Sequence, residues 1–179
     1  IGDRAGLVRA MAGHDVVFHV AAKAGVWGPR AEFEQTNVVG TENVIAACHE
    51  AGVRRLVYTS SPSVVFDGGD HNDASNDLPY PTAFLADYPR TKAAAERSVL
   101  AANGPGLATT ALRPHLVYGP GDPHLLPRLI ARARAGRLRI VGDGRNRVSL
   151  TFVENAARAH LQAALALTDH EAPGAGRAF

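Results

Sequence analysis

Cysteine, methionine and tryptophan occur once each in the 179 residues, lysine only twice, and aromatic residues make up 6% of the chain. The single Cys48 cannot close an internal disulfide, which excludes a disulfide-stapled scaffold. Its neighbours Val44, Ile45, Ala46 and Ala47 are helix-compatible, so it reads as a small buried thiol in a reducing cytoplasm. No apolar run approaches the roughly 18 residues of a bilayer span, and no basic-then-apolar leader opens the chain. A soluble protein with no transmembrane segment is expected. Charge of one sign is also missing: 19 Lys plus Arg face 17 Asp plus Glu, a net +2, so no arm suited to nucleic acid stands out. There is no repeat, heptad run or low-complexity tract. What remains is an ordinary globular composition, 46% hydrophobic with 18 Gly and 11 Pro. The chain opens on Ile1-Gly2-Asp3 without Met and stops at Ala178-Phe179 in what reads as the start of a strand, so both ends are expected to be cut.

Strand and helix patterns alternate. Residues 15–20 form a short β-branched run that suits a buried strand, and residues 31–50 carry Phe33, Val38, Ile45 and Ala46 at helical spacing, with Gly52 as a stop. Residues 55–59 repeat the strand pattern and lead into the polar turn Ser60-Ser61-Pro62-Ser63, followed by an aperiodic loop at 67–81. Residues 88–103 have Pro near their start, alanines in the middle and Asn103-Gly104 at the end, the punctuation of a helix. A strand at 107–112, a helix at 125–135 closed by Gly136, a strand at 138–141 and a helix at 154–168 complete the series. The alternation predicts an α/β fold, a doubly wound parallel sheet with helices on both faces and ligands at the carboxyl ends of its strands.

The strand ends carry the chemistry. Ala21-Ala22-Lys23-Ala24-Gly25 would let a flat ligand approach the backbone, although close packing explains small residues equally well. Thr59-Ser60-Ser61 offers hydroxyls to a carbonyl oxygen, or simply caps a turn. Tyr88 and Lys92 lie four apart near a helix start and face one side, so an ammonium can assist a phenol whose ordinary pKa suits neutral-pH proton transfer poorly. With 4 Tyr and 2 Lys in 179 residues, that spacing arises by chance only about once in twenty such chains. Ser61, Tyr88 and Lys92 together predict proton transfer to a carbonyl oxygen while another group supplies hydride; a surface helix pair is the plainer reading. His115 and His124 flank a Pro/Gly turn without metal-ligand spacing, so no metal is expected. His19 reads as a core histidine. The arginines at 128, 132, 134, 137 and 139 read as a solvated helix face that could also line a route for an acidic substrate or touch phosphate or an anionic membrane.

Taken in order, Gly2-Asp3, Val17-Phe18-His19-Val20-Ala21-Ala22, residues 36–41 (TNVVGT), Tyr58-Thr59-Ser60-Ser61, Tyr88-Pro-Arg-Thr-Lys92 and residues 112–122 (LRPHLVYGPGD) cover nearly the whole chain. The set resembles the extended short-chain dehydrogenase/reductases, in the branch of 3β-hydroxysteroid dehydrogenase/isomerases and NAD-dependent epimerase/dehydratases. Residues 21–28, 61–65 and 124–138 are most similar to the bacterial 2-alkyl-3-oxoalkanoate reductases of olefin biosynthesis. The resemblance implies NADP or NAD as cofactor and reduction of a 3-oxo acid to the 3-hydroxy acid. A sterol-like substrate, a nucleotide-sugar epimerase or a non-catalytic dinucleotide sensor are the alternatives. It implies Tyr88 as acid/base, Lys92 holding ribose hydroxyls and lowering the tyrosine pKa, and Ser61 on the substrate oxygen. It further implies Asp3 at the adenine, Ala21, Ala22, Lys23 and Thr59 along the cofactor, Pro114 and Leu116 beside the nicotinamide, and Asn37 as a brace. Asn155 stands where relatives often carry Asp.

The family's opening Gly-x-x-Gly-x-x-Gly turn is absent from this sequence. Residues 1–179 are therefore expected to form a single, partial NAD(P)-binding Rossmann-like domain, with 142–179 beginning the substrate-binding region. The strand at 15–20 is expected to show an unpaired apolar edge, which favours aggregation or oligomers. A homodimer through 31–50 and 88–103 is implied by resemblance only.

Overall fold

Three short runs, Val16–His19 (β1), Arg55–Thr59 (β2) and Ala108–Leu112 (β3), lie side by side in the order β1-β2-β3, all parallel. The computed structural model describes every residue of 1–179 except 26, 123, 124 and 141, and all described side chains except that of 125. Parallel neighbours need long crossovers, and helices supply them. Arg4–Met11 (α1) precedes β1; Arg30–Phe33 (α2), a π-helical segment Glu34–Val39 and Gly40–Ala51 (α3) join β1 to β2; Asp87–Ala101 (α4) joins β2 to β3. Leu125–Arg134 (α5) and Val153–Ala166 (α6) follow β3. Val117–Tyr118 (β4) and Thr151–Phe152 (β5) pair in a separate parallel ribbon. At the chain's end Ala178 bridges Ala111 in parallel and the Phe179 N–H donates to Ala111 O at 3.0 Å, so the strand start expected there lies along β3.

The two faces are legible in the alternation along β2. Leu56 and Tyr58 point into a core with Val44, Ala47, Cys48, Val53, Ala95, Val99 and Leu107, which buries α3 and α4 against the sheet. Arg55 and Thr59 point the other way onto α6: Arg55 Nη1 donates to Ala164 O at 3.2 Å, and the Thr59 hydroxyl meets His160 Nε2 at 2.7 Å. Helices therefore cover both faces, as the alternation predicts. Cys48 is fully buried and its thiol is pushed up to about 11 by burial. No helix among the described residues is long and apolar enough to cross a membrane. The outer side of β1 has no strand partner among the described residues, and Phe18 next to it is 40% exposed.

Two expectations need correction. The helix expected over 31–50 is interrupted by the π turn at Glu34–Val39, a wider turn that directs the Asn37 side chain to partners outside the helix. The strand expected over 138–141 does not form: residues 138–140 have no regular structure, and Val141 lies outside the described residues. Alternation over so few positions does not distinguish a strand from an extended surface segment. Residues 142–179 return to the sheet through α6 and the closing strand pairing. Gly52 is the helix stop its sequence position predicts: it closes α3 in the left-handed region at φ 72°, its N–H directed at Cys48 O and His49 O.

Candidate active site

Tyr88 and Lys92 sit one turn apart on α4, directed at the carboxyl end of β2. Lys92 is 2% exposed; its Nζ donates to Thr59 O at 2.6 Å and lies 4.1 Å from the Tyr58 ring centroid. Burial lowers its pKa to about 8, against an opposing pull from the Glu96 carboxylate one turn further along. The Ser61 hydroxyl lies near the Tyr88 phenol, whose pKa it pulls down against the effect of burial. The same Ser61 oxygen contacts Ser63 Oγ at 2.9 Å and accepts from Ser63 N–H at 3.3 Å, capping a short 3-10 turn over Pro62–Val65. Cap and site residue are one side chain.

The expected lowering of the Tyr88 pKa by Lys92 is not what the geometry gives. Burial raises the phenol's pKa, the Ser61 contact opposes it, and the ammonium is turned toward Thr59 O and the Tyr58 ring. Desolvation of a half-buried phenol outweighs a cation whose nearest partners are other groups.

A buried hydrogen-bond chain holds this arrangement. Asn37, 1% exposed in the π turn, accepts from Lys23 N–H at 2.7 Å and donates to Lys23 O at 3.1 Å and to Thr91 Oγ1 at 3.0 Å. Thr91 donates back to the first turn of α4, where Asp87 O lies at 2.8 Å. Thr41 Oγ1 donates to Asn37 O at 2.6 Å, so its remaining capacity accepts the His19 Nε2–H at 2.8 Å. His19 is thus a satisfied core histidine.

The residues expected to line a cofactor separate into two groups. Ala21, Ala22 and Lys23 follow β1, and Pro114 and Leu116 follow β3, at the carboxyl ends of the two strands that flank β2, whose own end carries Thr59. Lys23 is held by Asn37 through its backbone and pairs with Glu32 through Nζ at 2.6 Å. Leu116 adopts φ 42°, a strained value for a leucine. Asp3 stands apart in this arrangement as an exposed N-cap of α1, its Oδ1 accepting from Gly6 N–H at 2.9 Å.

Beside these strand ends opens a cleft of about 1380 Å³, bounded by Ala24 and Gly25, by the loop from Leu116 to Asp122, by one face of α5 and by Val153. Gly119 lets that loop close on α6: it has φ 150°, and a Cβ there would meet Val153 Cγ1 at 2.5 Å. Ser61, Tyr88 and Lys92 do not form its walls. His124, weighed with His115 as a metal pair, lies outside the described residues; among those described, no group of three His, Cys, Asp or Glu could hold a metal ion.

Sequence reasoning missed Thr91, Glu96, Arg113 and His160. Glu96 is fully buried and takes Arg113 Nη2 at 2.6 Å, Arg113 Nε at 3.0 Å and the Tyr80 hydroxyl at 2.7 Å. Its place four residues after Lys92 was the available signal. The partners of His160 and Arg113 are set by folding and had none.

Parallel strands, helices on both faces and polar side chains gathered at the carboxyl ends define a Rossmann-like α/β protein. The chain belongs to the 3-beta hydroxysteroid dehydrogenase/isomerase family, whose model matches residues 1–179. It is 52% identical over its whole length to the 2-alkyl-3-oxoalkanoate reductase of Stenotrophomonas maltophilia (strain K279a), covering 54% of that protein. It is 43% identical, over 97% of its length, to the decarboxylating sterol-4-alpha-carboxylate 3-dehydrogenase of Homo sapiens, covering 48% of it. Among solved structures, MoeE5 in complex with UDP-glucose and NAD is similar with a TM-score of 0.77 and 38% identity, over 90% of this chain and 56% of that one. The chain spans about half the length of the curated relatives it matches.

Proposed function

We propose that this chain carries the proton-transfer site, and part of the cofactor site, of an NAD(P)-dependent oxidoreductase that reduces a 3-oxo acid of the 2-alkyl-3-oxoalkanoate kind to the 3-hydroxy acid. The observation that carries this reading is the half-buried Tyr88 one turn from the buried Lys92, whose Nζ reaches Thr59 O at the end of β2, two residues before Ser61. Two relatives' names agree with it chemically. A 3-oxoalkanoate and a sterol 4α-carboxylate acted on at position 3 both join the reacting carbon to a carboxylate through one shared carbon.

The residues present fit a nicotinamide ribose. The Ser60 hydroxyl is buried without a hydrogen-bond partner among the described residues, Ala21 and Ala22 offer only methyl groups, and Lys92 uses one of its three N–H donors on Thr59 O. A bound nicotinamide supplies hydride to C3 of the substrate. Tyr88 gives its proton to the carbonyl oxygen as that carbon becomes a carbinol, and its raised pKa keeps it in the protonated state a reduction needs. Ser61 donates to the same oxygen. Lys92 is mainly charged at neutral pH and would turn its remaining donors to the ribose hydroxyls. Pro114 and Leu116 would flank the ring, and Asp3, which here caps α1, would have to turn to the adenine end. A nucleotide-sugar epimerase or dehydratase is the second reading, favoured by the likeness to MoeE5 with UDP-glucose.

The test is Tyr88→Phe, assayed by NADPH absorbance with a 2-alkyl-3-oxoalkanoate and by NADPH binding in parallel. Turnover is expected to fall by roughly 10²–10⁴, with cofactor affinity nearly unchanged. Equal turnover in the two proteins ends the reading.

A further inference from the structure

The cleft beside the strand ends has a distinctive chemistry. Leu116, Val117, Tyr118, Leu129 and Val153 make most of its walls apolar, and Arg128 and Arg132 lie among them on α5. Four residues apart, the two guanidiniums share one helix face. Neither makes an ion pair or hydrogen bond within the chain among the described residues. The acidic group on the cleft wall, Asp122, accepts from Leu126 N–H at 2.8 Å at the start of α5. Two unpaired cations on an apolar wall complement a ligand with one anionic group on a hydrocarbon body, and the planar guanidinium fork matches a carboxylate.

We propose that Arg128 and Arg132 form a carboxylate-binding element in this cleft, which opens beside the strand ends and is not walled by Ser61, Tyr88 or Lys92, and select a free acyl carboxylate over its neutral ester. This rests on the reading of the site as a 3-oxo acid reductase and adds to it the residues that recognise the acid. The apolar walls favour an alkyl chain over a nucleotide's ribose and base, so a nucleotide diphosphate is the competing occupant rather than the proposed one.

Calorimetric titration of the chain with 3-hydroxyoctanoate, its methyl ester and UDP-glucose tests this. The acid is expected to bind roughly tenfold to a hundredfold tighter than the ester, with a preference that shrinks as salt is raised. In the double variant Arg128→Gln/Arg132→Gln, acid affinity should fall to that of the ester, while ester affinity and melting temperature stay unchanged. Equal binding of acid and ester to the unaltered chain, binding of neither, or a preference that survives in the variant overturns the proposal. So does arginine-dependent binding of UDP-glucose in place of the acid. Acid selection that depends on both arginines upholds this inference whether or not the chain shows NADPH-linked turnover, so the two readings fail separately.

Discussion

Asn37 Nδ2 donates to Thr91 Oγ1 at 3.0 Å, joining side chains 54 positions apart and tying the π turn to the helix that carries Tyr88 and Lys92. The same amide grips the Lys23 backbone from both sides, N–H to Oδ1 and Nδ2 to O. One residue thus fixes the loop after β1 against the first turn of α4. Asn37→Ala removes all three bonds from a buried site and leaves the Lys23 N–H without its acceptor. A loss of about 2–4 kcal/mol is expected in urea unfolding. Asn37→Asp keeps the acceptor for Lys23 N–H but buries a charge and loses both donors, so it should rescue little.

The parts of this fold that could be read from the sequence are those with local causes. β2 and α4 carry their own patterns, and Gly52 and Pro89 punctuate helix ends by backbone geometry alone. Tyr88, Lys92 and Ser61 were nameable because their spacing has a chemical meaning. The π turn was not, since it depends on where the Asn37 side chain finds Lys23 and Thr91. The α1 stripe of Leu7, Val8 and Met11 was present but short, and the two-residue strands β4 and β5 hold too few positions for any period to show. Glu96 is the instructive miss. An acidic residue on an alanine-rich helix reads as solvent-facing until Arg113 and Tyr80 arrive from elsewhere.

That buried carboxylate gives the second prediction. Arg113 makes two hydrogen bonds to Glu96 with side-chain exposures of 9% and 0%, so removing one partner strands a charge in the interior. Glu96→Ala should cost about 3–5 kcal/mol. In a double-mutant cycle of Glu96→Gln and Arg113→Met, the pair should lose at least ~1 kcal/mol less than the sum of the single changes. Additive losses would show that the two groups do not depend on one another.

His19 predicts an acid-side loss of stability. Burial, then the Lys92 charge, then the chain's amino terminus lower its pKa from 6.5 to about 4. Between those values the unfolded chain binds a proton that the folded chain refuses. The contribution is therefore complete above about 6.5 and disappears as pH falls toward 4, worth on the order of 3 kcal/mol across the window. Chemical denaturation of the wild type and of His19→Gln at intervals through this range checks it, the variant showing the flatter profile.

Lys92 predicts a slope of the same sign on the alkaline side. Its pKa falls from 10.5 to about 8, chiefly because burial disfavours the ammonium, so the folded chain releases a proton that the unfolded chain still holds. Between about 8 and 10.5, stability attributable to this group should rise with pH, again by on the order of 3 kcal/mol at most. At neutral pH the charged lysine is therefore a cost to the fold, which the bond to Thr59 O and the Tyr58 ring offset only in part. Lys92→Met removes the titration but leaves Thr59 O without its donor, so the informative quantity is the pH dependence rather than the stability at one pH. The wild type should gain on the variant as pH rises from 8 to 10. Parallel profiles would place the lysine's proton affinity near its ordinary value and remove the physical basis for treating this position as a strained, functional one.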